Sequence, residues 1–135
     1  MIMLSDVRDW LSGLGVPEGA SWSMGRFEGS QERRCCVYQR PDYSGQQVAL
    51  GGPEATKALE KHASVLVHWN KNARQSEEAA QALYGAIAAA GRAVPIGEDT
   101  ASYIELELPE PVDLGSDDHG IFEHTIWLTI HYEEG

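Results

Sequence analysis

Cysteine is scarce in this chain. The two present, Cys35 and Cys36, are adjacent. Neighbours on an extended chain point to opposite faces, and bonding them to each other would strain the backbone, so no disulfide framework is available. Both read as buried free thiols rather than nucleophiles. Positive charge is scarce as well. Ten Lys and Arg stand against 21 Asp and Glu, for a formal charge of −11. Neutralising nucleic-acid phosphates, or docking on an anionic membrane surface, requires clustered bases, so neither partner is expected. No apolar run approaches the roughly 20 residues of a membrane-spanning helix. Asp6, Arg8 and Asp9 interrupt the segment where a secretory signal would carry its apolar core. A soluble intracellular protein is expected. Catalytic signatures are missing too: there is no Gly-x-Ser-x-Gly elbow, no Rossmann glycine fingerprint, no His-Glu-x-x-His and no Cys-x-x-Cys. Gly51-Gly52-Pro53 lacks the Lys-Ser/Thr that a phosphate loop needs after it and reads as a turn.

What is there is enough apolar content for a core. With 135 residues, 42% of them hydrophobic, the chain makes one domain spanning 1–135. Its clearest pattern lies in the last third. Phe122, Ile126, Leu128, Ile130 and Tyr132 share one parity, with His124 the polar exception among them. Glu123, Thr125, Trp127, Thr129 and His131 take the other. A period of two marks a strand with one face on a core. Ile104, Leu106 and Leu108 alternate with Tyr103, Glu105 and Glu107 in the same way, so the two stretches read as neighbouring strands. Pro109 and Pro111 end the first, and the connection through Gly120 is too long for a tight hairpin.

Earlier elements follow the same logic. Val7, Trp10, Leu11 and Leu14 make one apolar stripe on a helix predicted over Asp6–Leu14, with Ser5 as its cap. Ser21–Phe27 and Arg33–Arg40 read as strands around a polar turn, and Asp42–Pro53 as loop. Glu54–Lys61 fits either a helical turn or an extended lead-in. His62–Asn70 is rich in β-branched and aromatic residues and reads as a central strand. Asn72 caps a second helix over Ala73–Ala90, whose buried stripe is mostly alanine. Ala93–Ile96 is a short extended piece. The predicted fold is α+β: two helices packed on one face of a mainly antiparallel sheet of about five strands.

No metal or other cofactor is expected. His62 and His68 share a face but stand roughly 20 Å apart, and His124 and His131 face opposite ways. Asp113, Asp117 and Asp118 lack the alternating spacing of a calcium loop, and the 113–119 segment reads as a solvated acidic turn. Asp118 and His119 are neighbours in sequence, which by itself says nothing about an acid–base pair. One aromatic is out of place. Trp127 lies on the polar parity of its strand, and Ile121 shares that parity. Either another protein covers this patch or a segment of the same chain does. Trp127, Ile121, Asp117, Asp118 and His119 are the candidate interface residues, and no catalytic residue is assigned.

Several stretches carry a resemblance. They are Val65-Leu-Val-His-Trp-Asn-Lys-Asn-Ala-Arg-Gln-Ser-Glu-Glu-Ala-Ala80, Pro109-Glu-Pro-Val-Asp-Leu-Gly-Ser-Asp-Asp-His-Gly-Ile-Phe-Glu123, Val37-Tyr-Gln-Arg40, and Asp9-Trp10-Leu11 in the opening helix. Together they resemble the minor capsid proteins of tailed bacteriophages and prophages, and the chain is similar in size and element order to siphophage tail terminators. The resemblance implies a structural virion protein, made in the bacterial cytoplasm, at the head–tail junction. It further implies a ring of about six copies and contacts with other head–tail or tail-tube proteins. The second class that stays open is a small intracellular enzyme or ligand-binding module using the acidic 113–119 loop.

Overall fold

Strand β7 (Phe122–Glu133) is the spine of the molecule. It pairs with β3 (Ala58–His68) along one side, and with β5 (Asp99–Leu106) and β6 (Val112–Ser116) in succession along the other. The computed structural model describes residues 1–25, 28–40 and 58–133. Beyond β3 come β2 (Arg34–Gln39) and β1 (Ser21–Met24), and beyond β5 comes β4 (Arg92–Ile96), giving the order β1-β2-β3-β7-β5-β4 with β6 on β7. Helix α1 (Leu4–Ser12) precedes β1, and α2 (Ala73–Ala88) joins β3 to β4.

The α+β class is as expected, and the sheet is larger than expected. Among the described residues it has seven strands rather than about five. Strand β6 lies inside the 109–120 connection, and two strands start earlier than expected, β5 at Asp99 and β3 at Ala58 within the ambiguous stretch. Among the described strands every pairing is antiparallel except β1 with β2, which is parallel, with Ser21 opposite Arg34 and Met24 opposite Val37. The polar turn between those two strands is therefore part of a crossover and not a hairpin. It is held where the Arg33 amide donates to the Trp69 carbonyl at 2.7 Å and the Ser21 amide to the Arg33 carbonyl at 2.9 Å. The expected ends of the first strand, at Phe27, and of the loop, at Asp42–Pro53, lie outside the described residues.

One face of the sheet makes the core. Register lines up Val37, Val65 and Ile126 across three strands, and Ala63 opposite Leu128 beside Leu106. Val7 and Leu11 of α1 and Ala79, Ala80, Leu83 and Ile87 of α2 close over these residues. Alanine on the buried stripe of α2 lets that helix lie near the sheet, where it packs on β7, β3 and β5. Helix α1 touches β1 and β2 at one end of the strand order and β4 at the other, so the sheet curls around it. The start of α1 corrects the predicted cap. Leu4 and Ser5 are already helical, and the Asp6 carboxylate reaches back to accept from the Met3 amide at 2.9 Å. Gly97 turns against that carboxylate at φ +63°, and a Cβ there would meet the Asp6 Cγ at 2.6 Å.

Asn72 caps α2 as predicted, its side chain accepting from the Gln75 amide at 3.0 Å. Asn70 supports the same junction: it donates to the Gln75 side chain at 2.8 Å and accepts from the Ser76 hydroxyl at 3.1 Å. Trp69 and Asn70 are also bonded through their backbones to Phe122, at 3.1 and 2.9 Å. Two of the stretches that carry the resemblance thus meet each other. Their polar residues shape a strand–helix junction, which is a structural task.

Candidate interface and the outer face of the sheet

The other face of the sheet, away from α1 and α2, bears side chains of opposite parity, of which Cys36, His68 and Thr129 are buried and Trp127 is partly exposed. Trp127 stands there on β7, opposite Ser64 of β3, with 39% of its surface exposed. Its backbone carbonyl accepts from the Glu107 amide at 3.1 Å. The Arg40 guanidinium lies 5.3 Å from the indole centroid and pairs with the Glu107 carboxylate. A cation over the indole face is attracted by the ring quadrupole, worth about 0.5–1 kcal/mol at such a site. The chain itself therefore covers part of Trp127 and leaves the rest to solvent.

Along the same face runs a row of histidines and carboxylates. His62 Nδ1 and the Thr129 hydroxyl are 2.9 Å apart, and His62 Nε2 is 3.1 Å from Glu60. His131 Nε2 lies 2.8 Å from Glu105, with the Tyr103 ring stacked on it at 4.3 Å between centroids. These groups are more covered than the tryptophan: the Thr129 side chain is buried, and the His62 and His131 rings are mostly so.

The 117–121 turn is built by Asp117. One carboxylate oxygen, Oδ1, accepts from the His119 amide at 2.9 Å and from the Ile121 amide at 3.0 Å. The Asp117 amide donates to the Ile121 carbonyl at 2.9 Å, and Gly120 turns the chain at φ +78°. Burial works to raise the Asp117 pKa. The two amide bonds outweigh it, with the His68 and His119 imidazoles beside the carboxylate, and hold it below the usual carboxylate range. Asp113 is engaged in the same way, its carboxylate accepting from the Gly115 amide at 2.8 Å. Asp118 and His119 are exposed.

The five candidate residues do not form one patch. Ile121 is 1% exposed, so the surface position expected for it is corrected: the turn folds it inward beneath its own backbone. Trp127 is four residues up the strand from Glu123, roughly 13 Å away at strand rise, while Asp117 lies at the Glu123 end. Sequence reading missed Arg40 and Glu107 as partners of Trp127. The parity of Glu107 was legible, but its partner Arg40 lies 67 residues away along the chain. It missed a second grouping altogether. His68, Asp117 and Glu123 bring one ligand atom each to within 4.8 Å of one another. Weighing histidines against histidines and aspartates against loop spacing could not join a residue of β3, one of β7 and one of a turn.

Both thiols are buried and inert. Burial pushes Cys36 up to about 11, the Tyr38 hydroxyl partly offsetting it and the Glu123 charge adding to it. Burial drives Cys35 higher still, with Cys36 adding to the effect.

The described residues thus form an α+β domain with a closed core, a capped strand–helix junction and a partly exposed tryptophan on the face away from the helices. The model for the bacteriophage tail terminator protein matches residues 9–134. The chain belongs to the phage tail terminator family, whose members are structural proteins of the virion rather than enzymes. Among curated proteins none matches it. No helix among the described residues is long and apolar enough to cross a membrane.

Proposed function

We propose that this protein closes the tail tube of a tailed phage or prophage at the head–tail junction, as a minor structural component that assembles into a ring of about six copies. The observation that carries the reading is the family match over residues 9–134. Trp127, 39% exposed on the outer face of the sheet, supports it. In this reading Trp127, with Arg40 and Glu107 behind it, docks on a neighbouring copy or on a tail-tube protein. The exposed turn at Asp118 and His119 forms a second contact. Ile121 serves by holding that turn from within.

Charge fits the same role. Six copies at −11 each carry −66 formal charges. DNA passing the junction meets a field that repels a polyanion over about 8 Å at physiological salt. No direct DNA binding and no membrane contact follow from this balance. The rival reading, a small enzyme or ligand module on the 113–119 loop, draws little from the site, because the Asp113 carboxylate and Oδ1 of Asp117 are held by amides of their own turns. Electron microscopy of the purified protein at high salt tests the proposal. Closed rings of uniform diameter are expected, and a monomer at every salt and protein concentration would overturn the ring.

A further inference from the structure

We propose that His68, Asp117 and Glu123 form a binding site for one divalent first-row transition ion, of the class of Zn²⁺, that clamps the 117–121 turn to the sheet. This inference stands independently of the family reading. The three residues come from separate segments that only the fold brings together. His68 ends β3, Glu123 lies directly opposite it near the start of β7, and Asp117 reaches in from the turn. His68 Nδ1 is 2.8 Å from Glu123 Oε2 and 3.7 Å from Asp117 Oδ2. A tetrahedral ion with bonds of about 2.0–2.2 Å needs donors roughly 3.3–3.5 Å apart, between those two distances.

The orientation of the imidazole is the second observation. His68 is 1% exposed, and its Nε2 lies 2.9 Å from the Gly29 carbonyl oxygen. A carbonyl can only accept, so Nε2 carries hydrogen and Nδ1 is the atom turned to the two carboxylates. Ligating histidines are held in this way, with the far N–H on a backbone carbonyl. Nδ1 and the two carboxylate oxygens thus present three lone pairs to one point, an arrangement that a divalent cation satisfies. An imidazole nitrogen with two carboxylate oxygens suits Zn²⁺ and its neighbours better than Mg²⁺ or Ca²⁺. The carboxylate side chains are 20% and 23% exposed, which leaves the ion a path in and room for water. The His119 ring lies against Gly29, whose carbonyl holds His68 Nε2.

The test is calorimetric titration of chelator-treated full-length protein with Zn²⁺, with Co²⁺ absorbance as a second probe. One equivalent is expected to bind with micromolar or tighter affinity. At a hundredfold excess over Kd the melting temperature should rise by roughly 5 °C or more. Glu123→Gln and Asp117→Asn should each weaken binding tenfold or more, and Asp117→Asn retains the oxygen that accepts from the turn amides. Glu105→Gln, which alters the carboxylate beside His131, should leave binding unchanged. Absence of saturable binding would mean that the three residues are a hydrogen-bonded cluster and nothing more. Loss of binding in Glu105→Gln but not in Glu123→Gln would move the site elsewhere, and either result overturns the proposal.

Discussion

Trp127 and Leu128 are neighbours in sequence with opposite tasks. Leu128 is fully buried against α2 and β3, whereas Trp127 shares its indole between Arg40 and solvent. Leu128→Ala should cost about 2–5 kcal/mol through lost burial and an unfilled cavity, lowering the melting temperature by roughly 10 °C. Trp127→Ala should cost the monomer less than Leu128→Ala does, through the covered part of the indole and its cation contact, and should weaken self-association. Thermal melts with sedimentation on both variants separate the two roles, and a large stability loss in Trp127→Ala would return the residue to the core. The cysteines make a second test at this scale. With Cys36 pushed up to about 11, and Cys35 above it, almost no thiolate exists at pH 8. A disulfide reagent such as DTNB should modify neither thiol in the native protein and both in guanidinium. Rapid labelling of the native form would show that β2 opens.

At the level of elements, the 109–123 segment is where loop and strand share a task. Strand β6 pairs with the first residues of β7, and the turn between them is pinned by one carboxylate. A carboxyl whose folded pKa lies below its unfolded value, ordinarily about 3.9, stabilises the fold fully above that value. The contribution is lost as pH falls through the depressed one. The amide resonances of His119 and Ile121 should therefore hold their native shifts at pH 4 and move only in stronger acid. A midpoint at or above 4 would mean the carboxylate does not carry the turn. Asp117→Ala should loosen the same two amides at every pH, measurable as faster hydrogen exchange.

For the whole molecule, charge and shape pull against each other. An acidic chain repels its own copies in dilute buffer, and salt screens that repulsion. The protein is expected as a monomer or small oligomer at low salt and as larger species at high salt, measured by light scattering over a salt series. Duplex DNA should show no gel shift at either extreme. Retention of DNA at physiological salt would count against a lumen lined by this protein.

Periodicity and capping chemistry were legible in the chain itself. The alternation of Phe122 to Tyr132 defined β7 and its core face, and Asn72 marked the start of α2, because both are written within a few residues. The stretches around Trp69 and Asp117 carried the resemblance to phage virion proteins, and the acidic balance argued against nucleic-acid and membrane partners. What local pattern cannot encode is register between distant strands. The parallel pairing of β1 with β2, the curl that brings both ends of the sheet to α1, and the burial of Ile121 depend on long-range closure. So do the Arg40–Trp127 contact and the meeting of His68, Asp117 and Glu123. Each joins residues tens of positions apart or settles which way a turn folds, and the tertiary structure decides these because the core is buried as a whole.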